Sequence, residues 1–290
     1  MPASDGPLAA ARIAGVTHVA GVIGWPVEHS LSPQIHNAAF AALGLDWTYV
    51  PLPVVPGAMR AATDGLVALG FRGANVTMPH KTEAADLADD LSDDASRLRA
   101  VNTFVVRGDR LSGHNTDVSG FERFLVRDIG FEPQGRSALV YGAGGAARAV
   151  ALALAQAGMS SLTVAVRDPS RASDVSASAD GTATAVRVVS FADVADLRVD
   201  LVVNATPLGA DGRGCPPLGA IGPGVLVVDL LYRPAQTPLQ LQARAAGAEA
   251  FGGLGLLLHQ AALSFELWTG TPAPLDVMSA AALGVLADPR

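Results

Sequence analysis

Of the 20 lysine and arginine residues in this chain, 19 are arginine, and Lys81 is the one lysine. Arginine holds its charge permanently, whereas a partly buried lysine is compact and can exchange a proton near neutrality. A single lysine in such a composition points to acid–base or oxyanion work on a small polar substrate. Chance survival of a surface lysine is the plain alternative. Lys81 closes the string Asn75-Val76-Thr77-Met78-Pro79-His80-Lys81, and three more short strings are rich in hydroxyls and amides. These hold Ser30 and Ser32 before Pro33, Asn102 in Ala100-Val101-Asn102-Thr103, and Asp117 at the end of Gly113-His114-Asn115-Thr116-Asp117. Hydroxyls and amides read alcohol groups, and positioned serines can hold a carboxylate, so the set suits a neutral-to-anionic polyol. A short-chain-type reductase, with its Tyr-x-x-x-Lys pair, is set aside because Thr77 stands four residues before Lys81.

A second chemistry lies further along. Residues 142–147, Gly-Ala-Gly-Gly-Ala-Ala, follow the apolar run Ser137–Tyr141 and open an apolar helical stretch. This fits G-x-G-x-x-[GA] in its strand–turn–helix setting. Gly142 permits the tight turn, Gly144 lets the backbone approach a pyrophosphate, and Ala147 allows close helix–strand packing. The diphosphate would lie on the free N–H groups of the helix start. About 20 residues on, Val166-Arg167-Asp168-Pro169-Ser170-Arg171 offers two arginines for a 2′-phosphate, which favours NADP. Asp168 keeps NAD open, and solvated loop arginines are the plain alternative.

Taken together, these strings resemble the shikimate dehydrogenase family. "HSLSP", "NVTMPHK", "AVNT" and "NTD" are similar to its substrate domain. "GAGGAARA", "NATPLG", "DLLYRPAQTPL" and "GLGLLLHQ" are similar to its cofactor domain, in the same order, across residues 18 to 270. The resemblance implies reversible NADP-dependent reduction of 3-dehydroshikimate to shikimate, a step of aromatic amino-acid biosynthesis. It implies Lys81 and Asp117 as the catalytic pair and Ser30 and Ser32 on the substrate carboxylate. Asn102, Asp117, Thr77, Tyr232 and Gln260 would surround the ring and its hydroxyls. Gly142, Ala143, Gly144, Gly145 and Ala146 would hold the pyrophosphate, Arg167 and Arg171 the adenosine phosphate, and Leu230 and Gly253 would flank the nicotinamide. The family's strand end before the 2′-phosphate is Asn-Arg-Thr, where this chain has Val166-Arg167-Asp168. A quinate/shikimate dehydrogenase using NAD is the alternative within the class. A non-catalytic ligand sensor on the same scaffold is the alternative outside it, and Lys81 with Asp117 argues against that.

Several of these residues also suit local structural work. Ser30 and Ser32 could cap the helix that starts at Pro33, and Asp117 could cap the one that follows it. Asn75 could hold its turn, Gln260 lies on an apolar helix where a buried amide needs a partner, and His36 and His259 suit packing. The acidic run Asp86, Asp89, Asp90, Asp93 and Asp94 reads as a solvated face.

The elements that must carry these residues alternate strand and helix nearly throughout, the mark of parallel α/β architecture. Strands are expected at 18–25, 47–54 and 73–78, with helices at 33–44, 56–69 and 81–91. A hairpin turning at Gly108-Asp109 follows, then a helix over 117–130. After residue 136 come strands at 137–141, 161–167, 199–206 and 224–232, with the polar stretch 174–185 as loop or frayed helix and a helix from the glycines at 252–253. The expected fold is two α/β domains separated by a cleft: a substrate and catalytic domain over 1–117 and a Rossmann-type NADP domain over 118–253. The C-terminal helices 254–290 are expected to return to the first domain.

Composition narrows the rest. Half of the 290 residues are apolar and 16% are charged, enough for a sizeable core and against disorder. A net charge of −7 without a basic cluster argues against nucleic acid and anionic membranes. One cysteine, Cys215, allows no disulfide within the chain and no thiolate metal cluster, so no metal is expected and a cytoplasmic location is. Arg12 and His18 interrupt the apolar N-terminal stretch, which argues against a signal peptide, and no 18-residue apolar run suggests a membrane span. A homodimer is left open.

Overall fold

Two six-stranded sheets organise the residues that this computed structural model describes, 13–169 and 172–287. Each belongs to its own compact unit. The first unit takes in the chain as far as Thr116 and again from Ala261, and the second runs from Asp117 to Gln260.

The first unit contains β1 (His18–Gly24), α1 (Ser32–Ala42), β2 (Trp47–Pro53), α2 (Met59–Ala68), β3 (Gly73–Val76) and α3 (Lys81–Leu87). It continues with β4 (Asp90–Leu91), α4 (Asp93–Leu98), β5 (Thr103–Arg107) and β6 (Arg110–His114). The sheet order is β2-β1-β3-β5-β6-β4. β1, β2 and β3 run parallel, whereas β5 is antiparallel to both β3 and β6. The β5–β6 connection is the expected hairpin, with Gly108 at φ 65°, a conformation glycine adopts without a Cβ penalty.

The helix expected over 81–91 is shorter than the sequence suggested. It stops at Leu87; Ala88 is extended, and Asp90–Leu91 pairs with β6 instead. A new helix, α4, then starts behind Ser92, whose hydroxyl accepts the Ala95 N–H. Asp93 and Asp94, read as a solvated face, occupy the first turn of α4, where carboxylates complement the helix dipole.

α5 (Thr116–Arg123), which belongs to the second unit from Asp117 onward, runs on into one π-helical turn, Phe124–Asp128. Then follow β7 (Ser137–Tyr141), α6 (Gly145–Gln156), β8 (Ser161–Val166), α7 (Ser173–Ser178), β9 (Ala185–Ser190) and a short 3-10 turn. β10 (Leu201–Asn204), β11 (Leu226–Asp229), α8 (Pro238–Ala245) and β12 (Glu249–Gly252) complete the sheet. All six strands are parallel in the order β12-β11-β10-β7-β8-β9, the doubly wound dinucleotide-binding order. β10 and β11, Leu-Val-Val-Asn and Leu-Val-Val-Asp, are buried at every position, as parallel strands covered on both faces must be. The stretch 174–185 divides into the end of α7 and a turn that leads into β9.

α9 (Leu254–Thr269) and α10 (Leu275–Ala287) end the described chain. From Ala261 onward both belong to the first unit, where α10 packs on α1. Phe265 and Trp268 of α9 enter an aromatic cluster with Phe40 and Tyr49. His36 is fully buried there, stacked on Tyr49 at 4.4 Å. Burial drives its pKa down to about 3, so it packs as a neutral ring. Neither ring nitrogen has a hydrogen-bond partner; the neighbouring Asn75 side chain pulls the pKa the other way, too weakly to matter. No helix among the described residues is long and apolar enough to cross a membrane.

Candidate active site

Strand direction decides which of the candidate residues share an edge. β1 and β3 are parallel, so the segments that leave them, with Ser30 and Ser32 after β1 and Thr77 and Lys81 after β3, start from the same edge of the first sheet. β5 is antiparallel to β3 and begins there, so Asn102 stands at that edge too. β6 ends there and delivers the chain through Asn115 and Thr116 to Asp117. The edge is stitched by backbone bonds: Thr77 N–H to Ile23 (2.8 Å), Trp25 N–H to Met78 (3.0 Å) and Val76 N–H to Asn102 (2.7 Å). Thr77 packs directly over Gly24, where any Cβ would collide with its methyl group.

Lys81 is half-buried and is the first residue of α3. Its carbonyl accepts the Val101 N–H at 2.8 Å. The preceding His80 is buried and donates from Nε2 to the Val54 carbonyl at 2.6 Å, which ties the start of α3 to the end of β2. A cation at a helix N-terminus opposes the helix dipole, so helix stability gives no reason for lysine here. His80 had no role in the sequence reading; its buried anchor is visible only in three dimensions.

Ser30 and Ser32 divide the work differently from the capping alternative. The N-cap of α1 is Leu31, which has no side-chain cap, while Ser30 Oγ accepts the Ser32 N–H at 3.2 Å. That bond uses a lone pair of Ser30 and leaves its own O–H available to an anion. Asp117 is half-buried in the first turn of α5, the favourable end for a carboxylate. α5 and α9 approach closely at Gly120, where a Cβ would lie 2.9 Å from the Gln260 backbone nitrogen. Gln260 is half-buried rather than buried, and donates to the Leu257 carbonyl of its own helix at 2.9 Å. Asn75 is engaged inside the first unit: its Oδ1 accepts from the Tyr49 hydroxyl at 2.7 Å.

The second sheet has an edge of its own. Being parallel, β7, β8, β11 and β12 all end on it, which places Gly142, Arg167, Leu230 and Gly253 along one rim. The reversal of strand order falls between β7 and β10, and ligands of doubly wound sheets bind outside such a point. Gly142 has φ 115°, and a Cβ there would lie 3.1 Å from the Ala205 carbonyl. Ala143 is half-buried, and a Cβ on exposed Gly144 would meet nothing within 4 Å, so the space over the turn is open to a ligand. α6 begins at Gly145 and Ala146 with no side-chain cap, leaving its first N–H groups for an anion. Buried Ala147 brings the helix close to the sheet. These residues fit a dinucleotide diphosphate. Arg167 is exposed just past the end of β8. Arg171 lies outside the described residues.

Gly253 exists for a close approach: a side chain on it would collide with the Leu230 carbonyl. The turn that carries Leu230 and half-buried Tyr232 hangs on Asp229, a fully buried carboxylate. It accepts from the Thr237 hydroxyl (2.6 Å), the Asn204 amide (3.0 Å) and the Leu231 N–H (3.2 Å). Burial pushes the Asp229 pKa up, and those three bonds oppose the shift. Burial likewise raises the Tyr232 hydroxyl, which stays a neutral donor. Asn204 lies in the Asn-Ala-Thr-Pro-Leu-Gly string and Asp229 opens the Asp-Leu-Leu-Tyr-Arg-Pro string, so both stood in motifs that the sequence marks, although neither was given a role.

Against known proteins, the family described as shikimate dehydrogenase substrate binding domain matches residues 22–104. The family described as shikimate 5′-dehydrogenase C-terminal domain matches residues 253–283. A protein of Rubrobacter xylanophilus named shikimate dehydrogenase (NADP(+)) is 47% identical over 279 residues, 94% of this chain and 98% of its own. A solved shikimate dehydrogenase in complex with NADP+ is similar with a TM-score of 0.89 and 35% identity, covering 98% of this chain and 100% of that one. A shikimate 5-dehydrogenase of Thermus thermophilus, solved with NADP(H) and shikimate, gives a TM-score of 0.84 and 36% identity over 93% of this chain and 100% of its own.

Proposed function

The chain belongs to the shikimate dehydrogenase family, and from that premise we propose that it interconverts 3-dehydroshikimate and shikimate with NADP(H). The observation that carries this function is the near-full-length likeness to NADP-dependent relatives of that name. The chain also presents a half-buried lysine and a helix-start carboxylate on the segments leaving one sheet edge. Bound NADPH supplies the hydride that reduces the ring carbonyl.

The chain's own residues bind, orient and handle the proton. Lys81 donates a proton to the oxygen that gains negative charge on reduction and takes it back in the reverse direction. Asp117 accepts hydrogen bonds from a ring hydroxyl and holds the reacting carbon in register. Ser30 and Ser32 hold the substrate carboxylate, and Thr77, Asn102, Tyr232 and Gln260 read the remaining oxygens. The α6 start, from Gly142 to Ala146, holds the diphosphate. Arg167, with Arg171, holds the 2′-phosphate, and Leu230 and Gly253 shape the nicotinamide site. A reducing cytoplasm suits a chain with one cysteine.

The test is an absorbance assay of nicotinamide reduction, offering shikimate and quinate each with NADP and with NAD. The expected result is a kcat/KM for shikimate with NADP at least about 10-fold above every other pairing, a difference of roughly 1.4 kcal/mol. Quinate with NAD as the best pair would replace this function with the other activity of the class. No turnover with any pair would favour a ligand sensor.

A further inference from the structure

Ser264 lies on an apolar stretch of α9, between Ala261, Ala262 and Phe265, and is fully buried. A buried hydroxyl without partners costs roughly 1–3 kcal/mol, so its surroundings must satisfy it. They do so with polar groups from three other elements. Asn75 Nδ2 donates to Ser264 Oγ at 2.9 Å, Thr103 Oγ1 lies 2.8 Å away, and Thr116 Oγ1 lies 3.3 Å away.

Asn75 Nδ2 also faces the Asn102 carbonyl at 3.3 Å, and a carbonyl can only accept, so the Asn75 amide has one orientation. Its Oδ1 is thereby turned to the Tyr49 hydroxyl. Asn75 also donates to Thr103 Oγ1 at 3.0 Å, and Thr103 passes its own proton to Asn102 Oδ1 at 3.0 Å. The backbone N–H of Thr116 points at the same Asn102 oxygen from 2.8 Å. Flipping the Asn102 amide would set its NH2 against that N–H, donor against donor. Asn102 therefore keeps its oxygen toward Thr103 and the Thr116 N–H, while its Nδ2 donates to Thr116 Oγ1 at 3.0 Å. The same bonds tie Asn102 to Thr116, the first residue of α5 and the neighbour of Asp117 in the chain.

We infer that Thr103 and Ser264 are positioning residues for substrate recognition: Thr103 holds the Asn102 side chain through its Oδ1, and Ser264 braces Thr103 against Thr116 at the start of α5. The inference rests on the proposal that Asn102 and Asp117 face the substrate.

The test uses Thr103→Val, which removes the hydroxyl at nearly constant shape, Thr103→Ser, which restores it, and Ser264→Ala, with Asn102→Ala as control. Steady-state constants for shikimate, the NADP dissociation constant and the melting temperature are measured for each. Thr103→Val should raise the shikimate KM on the order of 10-fold, and Ser264→Ala about threefold, through bonds that no substrate touches. NADP affinity should stay within about twofold, and Thr103→Ser should recover most of the loss. A lowered melting temperature with the shikimate KM within about twofold of the parent would show a purely structural network and overturn the inference. If Thr103→Val does not fold, Ser264→Ala decides by the same criterion. If Asn102→Ala raises KM while the Thr103 and Ser264 variants do not, the positioning claim alone fails. If Asn102→Ala leaves KM unchanged, the assignment of Asn102 to the substrate fails and takes the inference with it.

Discussion

Lys81→Ala is expected to lower kcat by roughly 10²- to 10⁴-fold, the range for a positioned acid or base, with a far smaller change in shikimate KM. The fold should not suffer. Lys81 holds Val101 through its carbonyl, which alanine retains, and its charge opposes the dipole of α3. The melting temperature is measured beside kcat. That separates lost chemistry from lost structure. Lys81→Arg then distinguishes two reasons for the single lysine. If charge alone matters, arginine should rescue most of the rate. If proton exchange or compactness matters, arginine should remain nearly as inactive as alanine, with the fold intact by circular dichroism. Failure of rescue is expected, because guanidinium is bulkier and holds its proton. Recovery beyond about a tenth of wild-type kcat, a deficit under ~1.4 kcal/mol, would refute the proton-exchange account.

Arg167→Ala should raise the KM for NADP by a factor on the order of 10 to 100, a lost interaction of roughly 1.5 to 3 kcal/mol, and barely change the use of NAD. Arg167 is exposed at the end of β8, so its bond to a 2′-phosphate is charge-assisted but screened. The wild-type KM for NADP should accordingly climb with ionic strength more steeply than that of the variant. Equal losses with both cofactors would point to damage in the β8–α7 region and away from phosphate recognition. Asp168, next to it, is the residue that would otherwise favour an unphosphorylated ribose.

Much of this architecture was legible because the signals are local. Apolar runs marked β1, β7, β8, β10 and β11, and Gly108-Asp109 marked the hairpin. The break in 81–91 was not legible from helix periodicity, because pairing of Asp90–Leu91 with β6 overrides it. Ser92 followed by two aspartates was nevertheless a readable helix start. α8 was also readable in hindsight, since Thr237-Pro238-Leu239-Gln240 is a capping box with proline in the first turn. β9 and β12 are the two edge strands of their sheet, each held by a single neighbour, β8 and β11.

The candidate site divides in the same way. Lys81, Asp117 and the glycine turn stand out because chemistry asks for particular residue types in short strings. Ser264 does not, because its partner Asn75 lies 189 residues away and a lone serine on an apolar helix carries no pattern. The direction of the Asn102 amide depends on Thr103 and on the backbone of Thr116, 14 residues on. Only the folded arrangement contains that information.

On this chain a hydride passes between NADPH and the ring carbonyl of 3-dehydroshikimate. The most direct measurement supplies NADPH deuterated at both C4 positions of the nicotinamide and analyses the product by mass spectrometry. The expected product is shikimate carrying one carbon-bound deuterium, formed by the wild-type protein and formed more slowly by Lys81→Ala in proportion to its lower kcat. Shikimate formed without carbon-bound deuterium, or no reduced product from an intact protein, would contradict it.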